Sequence, residues 1–265
     1  MNMTLFKKEF KSNYKIVLIF LAVITMYCSM IIAMFDPKLG ESLKMMAESM
    51  PQLFSAFGMA APASTLTEFI ANYLYGFILL VFPLIFIILL ANRLVARYVD
   101  RGSMAYLLAT PNKRRNIVVT QAMIMIIFIL IIVVYATTLC IALSGAMFSG
   151  ELDIKNFLVL NAGLYGLLFF FGGLCFLSSC AFNDSRFSYG VGGSLCILFV
   201  LMQMVSQVGE KFEAIKYGTP LTLFRPGELI LGDSNAIVSF LALYAMGIVL
   251  YGLAIVIFNK KDLSL

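Results

Sequence analysis

The chain has 265 residues, 62% of them hydrophobic, with a formal net charge of +5 and no histidine. That apolar fraction exceeds the roughly 45–50% of soluble domains and excludes a water-soluble fold. The absence of His, and of any Cys-x-x-Cys pair, removes the usual zinc ligand sets.

Residues 1–15 carry Phe6, Phe10 and Tyr14 at a spacing of four, with Lys7, Lys8, Lys11 and Lys15 between them. This pattern predicts a short basic helix lying in the membrane interface, apolar side down. An apolar run follows at 16–35 and ends on Phe35-Asp36-Pro37 without a small-residue cleavage pattern, so it reads as a retained span. Residues 36–69 hold Leu39, Leu43, Met46, Met50, Leu53, Phe54 and Phe57 at intervals of three or four. They predict amphipathic helices covering one end of a bundle.

Further apolar runs occupy 70–91, 117–143, 156–182, 188–208 and 236–258. Each of the six is long enough to cross a hydrocarbon core of roughly 30 Å as a helix. None contains Asp, Glu, Lys, Arg or His. Intramembrane charges mark proton relays and ion paths. Their absence predicts that energy enters through another chain. Polar residues such as Asn72, Asn161 and Gln203 are a thin substitute.

The hydrophilic stretch 92–116 is the most informative. Gly102 permits a sharp turn, Ser103 can cap a short helix within 102–111, and Pro111 stops it. That helix would offer Met104, Tyr106, Leu107 and Leu108 to a soluble partner. Lys113, Arg114 and Arg115 then anchor the third span at the lipid surface. Pro83 predicts a kink in the second span. In the fourth and fifth spans Gly172 and Gly173, and Gly190 with Ser194, predict close helix packing within the bundle. Segment 209–235, with Pro220 and Pro226 among apolar patches, has the composition of a stretch that folds back toward the bundle. The five cysteines all fall in spans and read as small packing residues.

With the N-terminus inside, the inner segments hold 13 Lys and Arg against 6 outside, and 4 acidic residues against 10. The positive-inside rule therefore puts both termini in the cytoplasm. No phosphate loop occurs, and six spans leave no room within these residues for an ATPase domain.

The basic leading helix, the six spans, the run Asp100-Arg-Gly-Ser-Met-Ala-Tyr-Leu-Leu-Ala-Thr-Pro-Asn-Lys-Arg115 and the ending Phe258-Asn-Lys-Lys-Asp-Leu263 together resemble the permease subunit of type-2 ABC exporters. The resemblance covers the whole chain as a single permease domain, 1–265. It implies an all-α membrane fold with an elbow helix at 1–15 and a coupling helix at 102–111. It also implies contacts to an ATPase partner through Asp100, Arg101, Gly102, Ser103, Met104, Tyr106, Leu107, Leu108 and Pro111. A second permease, identical or related, would pair with this one in a bacterial cell membrane. Two ATPase subunits would bring the ATP and Mg; the chain itself would hold no cofactor and catalyse nothing. The cargo would be amphiphilic or hydrophobic. The competing readings are an ion-coupled transporter or channel, which needs charged or discontinuous sites at mid-membrane, a membrane-embedded enzyme, and a purely structural subunit.

Overall fold

A computed structural model describes residues 2–35, 45–46, 48–59, 63, 65–100, 102–108, 113–208 and 210–261. Among them every regular element is helical. The six long helices are α1 (Met3–Ala33), α3 (Leu66–Asp100), α5 (Arg114–Met147), α6 (Ile154–Ala181), α7 (Ser185–Ser206) and α9 (Ser234–Lys260). Short helices α2 (Pro51–Ala56), α4 (Ser103–Leu108) and α8 (Pro226–Ile230) lie between them.

Side-chain caps open five of the six long helices. Asn2 accepts from the amides of Thr4 and Leu5, Asp153 from Asn156, Asp184 from Arg186 and Asp233 from Asn235. Thr65 and Glu68 form a reciprocal capping box. Each cap satisfies helix-end amides that have no partner within the helix. Only α5 starts without one, on Lys113.

All six predicted spans are present. The elbow helix is not a separate element: residues 3–33 form one uninterrupted helix. The physical reason is that no Gly or Pro interrupts it, so nothing in the stretch favours a break. At 1.5 Å per residue α1 is about 46 Å long, well beyond a hydrocarbon core of roughly 30 Å. Leu5, Glu9, Asn13 and Val17, each four apart, point inward, and Phe10 stacks on Phe128 of α5 at 4.9 Å.

Helix α6 is the centre of the bundle and packs against α3, α5, α7 and α9, while α1 lies on α5 and α3. Gly172 makes this possible: a Cβ there would stand 2.5 Å from Tyr251 Oη and 2.7 Å from Ile129 Cδ1. Gly173 likewise faces Leu250 and the Gly247 carbonyl. The pairing predicted for Gly190 and Ser194 is not made within the chain. Both are exposed, and among the described residues nothing lies within 4 Å of a Cβ at Gly190. Gly192 and Gly193 take that role instead, meeting Ser178 and Ile88. The reason is rotational phase: one or two positions along a helix turn a residue to another face.

Helix α3 is irregular. It carries π-turns at Ala71–Tyr75 and Asn92–Ala96. Its break falls at Gly76–Phe77, upstream of the predicted kink, and Pro83 sits inside the regular stretch Ile78–Ala91.

Two rims follow from the contacts. At one, Asn2 meets Thr120 of α5, and Arg114 donates to the Lys261 carbonyl. Lys261 reaches the Cys180 carbonyl at 3.3 Å, and burial lowers its ammonium pKa from the usual lysine value. We call this the basic rim. At the opposite rim Thr67 accepts from the Asp153 amide, and Phe35 meets Phe148 edge-on. Residues 210–230 turn back onto the bundle there. Leu229 and Phe224 lie 2.8 and 3.2 Å from where a Cβ on Gly163 would stand, about 14 Å along α6 from its start. Within 36–69, α2 buries no residue and Met46 and Met50 are exposed; Leu39 and Leu43 lie outside the described residues.

The buried Tyr75 hydroxyl donates to Asn161 Oδ1 at 2.7 Å and joins α3 to α6. Tyr75→Phe is expected to cost about 1 kcal/mol, because it leaves a buried carbonyl unpartnered. Reversible unfolding in mixed micelles measures this.

Candidate functional site

The basic rim gathers the end of α3, the short helix α4, the first four turns of α1 and the start of α7. Gly102 makes the turn from α3 into α4 at a φ of +66°, and its amide donates to the Val99 carbonyl at 2.9 Å. Among the described residues no atom lies within 4 Å of a Cβ there, so the backbone alone demands glycine. Ser103 is the first residue of α4. Its hydroxyl donates back to the Tyr98 carbonyl at 3.2 Å, tying helix to turn, where the sequence suggested a cap.

Three hydrogen-bonded ties hold this corner. Tyr98 Oη donates to Glu9 Oε1 at 2.5 Å across 89 residues of sequence. Asn13 Nδ2 donates to Glu9 Oε2 at 3.3 Å and to the Glu9 carbonyl at 2.9 Å. Ser185, at the start of α7, donates to Asp100 Oδ2 at 2.9 Å. Glu9 is 1% exposed and Asn13 3%. Lys8 stands over the Tyr98 ring at 5.9 Å. The corner thus links α4 to α3, α1 and α7.

Among the expected partner-contact residues, Asp100 is exposed, Gly102 and Ser103 form the turn, and Leu107 is half-buried against the core. Met104 is a correction: it is 0% exposed and belongs to the core, so it is not offered to a partner. A six-residue helix lying against the bundle must turn one face inward, and that face carries Met104. Arg101 and Pro111 lie outside the described residues, as do the side chains of Tyr106 and Leu108. Of the residues expected to anchor the chain at lipid, Lys7, Lys8, Lys11, Lys15, Lys113 and Arg115 are exposed and Arg114 is half-buried.

Sequence reading missed Glu9, Asn13, Tyr98 and Ser185. The available signal was the register Leu5-Glu9-Asn13-Val17, which puts two polar groups on a face otherwise apolar. A cavity of about 120 Å³ lies toward the opposite rim, beside Asn72, Gly76, Gln203 and Gln207.

The sequence matches the family model described as ABC-2 family transporter protein over residues 3–263. The chain belongs to that family. It is an ABC-2 permease, a membrane transport component, and the all-α six-span architecture agrees with this. None of the curated proteins matches it. In this permease, hydrogen bonds at the basic rim tie α4 to α3, α3 to α1, and α3 to α7.

Proposed function

We propose that the permease is the transmembrane subunit of an ATP-driven exporter. It pairs with a second permease, identical or related, and with two separate ATPase subunits that bring ATP and Mg. The ATPase seats on α4 through Leu107, Tyr106 and Leu108, flanked by Asp100, Arg101, Gly102, Ser103 and Pro111. The basic rim faces the cytoplasm, as its charge asymmetry favours, in a bacterial cell membrane with both termini inside.

The observation that supports this reading is the set of ties at the corner. A displacement of α4 reaches α3 through Ser103–Tyr98, α1 through Tyr98–Glu9 and α7 through Asp100–Ser185. No Asp, Glu, Lys, Arg or His lies in the apolar runs to power transport. ATP binding would close the ATPase pair and move α4, opening a path outward between the two permeases.

The cargo fits an amphiphile or hydrophobe: a peptide, a bacteriocin-like molecule, a lipid or a drug. The outward faces of α7 and α9 are lined by Ile197, Leu201, Leu241 and Ile248, which suit such cargo better than sugars or ions.

Co-purification with an ATPase subunit, followed by reconstitution in vesicles, tests the assignment. The expected result is hydrolysis that depends on this chain, with ATP-dependent movement of a labelled amphipathic peptide. Transport by the purified chain alone, without nucleotide, would sink the reading and favour an ion-coupled transporter.

A further inference from the structure

We propose that the cavity between α1 and α3 at the basic rim is a binding site for a phosphate group, presented by a phospholipid headgroup. The cavity holds about 240 Å³ and is lined by Glu9, Ser12, Asn13, Arg93, Arg97, Tyr98 and Ser103. That is far above the roughly 10–15 Å³ needed to admit one water.

Its charge is unbalanced. Arg93 and Arg97 make no ion pair among the described residues, where the two pairs are Lys216–Glu213 and Arg225–Glu228. The carboxylate in the cavity, Glu9, is already engaged by Tyr98 on one oxygen and Asn13 on the other. Two arginines therefore line the cavity with one carboxylate that is already hydrogen-bonded, and Lys8 adds a further cation at the Tyr98 ring. The guanidinium fork matches phosphate oxygens bidentately. Arg93 sits within the π-turn Asn92–Ala96 and Arg97 follows it directly. Four residues apart, they share one face of the helix. Such turns recur at functional sites.

The depth favours lipid over a soluble anion. Arg93 and Arg97 stand two and six residues beyond the apolar run that ends at Ala91, and Ser12 stands four residues before the run that starts at Ile16. At 1.5 Å per residue this is about 3–9 Å outside the hydrocarbon. The headgroup layer of one leaflet is about 5–8 Å thick. Ser12 and Arg97 are exposed, so the cavity opens at that level. Ser103, the first residue of α4, forms part of the wall. An occupant would touch α1, α3 and α4 together, placing bilayer composition in contact with the segment that receives the ATPase.

Native mass spectrometry of the full chain in non-ionic detergent tests this, with phosphatidylglycerol as the probe. Diacylglycerol serves as the lipid without phosphate, and inorganic phosphate as the soluble source. Wild type is expected to retain one phosphatidylglycerol and no diacylglycerol. Arg93→Gln with Arg97→Gln should weaken that binding about tenfold or more. Ser12→Phe, at the exposed mouth, should weaken it as well without touching the buried ties. Lys155→Gln, exposed at the opposite rim, should leave it intact. Equal retention by wild type, the double Arg variant and Ser12→Phe would overturn the site. Displacement of the lipid by millimolar inorganic phosphate would overturn the lipid assignment and make the site one for a soluble phosphate.

Discussion

Met104→Asp is expected to reduce ATP-driven transport to background while leaving the six-span bundle folded. Met104 has no solvent exposure, and its side chain holds α4 on the core. An ionised carboxylate in that place loses its hydration without gaining a partner, at a cost of several kcal/mol. A six-residue helix has almost no stability of its own, so it leaves the bundle rather than carry the charge inside. The spans do not depend on it, because their burial is among themselves. The measurements are size-exclusion behaviour of the purified variant, ATPase rate in the assembled complex, and cargo movement in vesicles. Met104→Leu conserves volume and should restore transport. Wild-type transport by Met104→Asp would show that force does not pass through α4.

The second large effect falls at the opposite rim. Gly76→Ala is expected to destabilise the permease by about 1–3 kcal/mol, because a methyl there has nowhere to go. An added Cβ would lie 2.6 Å from the Phe57 carbonyl oxygen and 2.7 Å from that of Asn72. Both are backbone atoms, so relief requires moving a chain segment rather than rotating a side chain. Gly58, at a φ of +72°, belongs to the same contact, with a Cβ position 3.3 Å from Gly76 Cα. This backbone-to-backbone contact pins the segment after α2 against the broken point of α3, beside the cavity lined by Asn72, Gln203 and Gln207. Gly190→Ala is the contrast. It is exposed, meets nothing, and its helix gains propensity, so its stability should stay within about 0.5 kcal/mol or rise slightly. Thermal unfolding of the two variants side by side distinguishes them. Equal midpoints would show that the Gly58–Gly76 contact does not hold the rim.

The two variants also mark where reading the chain succeeds and where it stops. Gly102 was legible because a turn after a helix, followed by a short helix-capable stretch, asks for a positive φ wherever the rest of the molecule lies. The caps at Asp153, Asp184 and Asp233 were equally open to reading, since each bonds an amide two or three residues away. Gly76 was not legible: the residue that makes it necessary is Phe57, in a separate element. Neither was the inward turn of Met104, whose spacing from Leu107 and Leu108 fits a partner-facing stripe as well as a core-facing one. The corner Glu9–Tyr98 joins positions 89 apart, and nothing local to either announces the other.

The sequence by itself determined that the chain forms six membrane-length helices, which rim carries the positive charge, and where most helices begin. These properties are sums or short-range bonds along the chain: apolar length against bilayer thickness, charge in short loops, caps within three residues. Tertiary structure alone decided which glycines pack, and that the polar corner and its cavity exist. Those depend on the rotational phase of one helix against another, and two neighbouring positions with the same composition can face a packed helix or open surface.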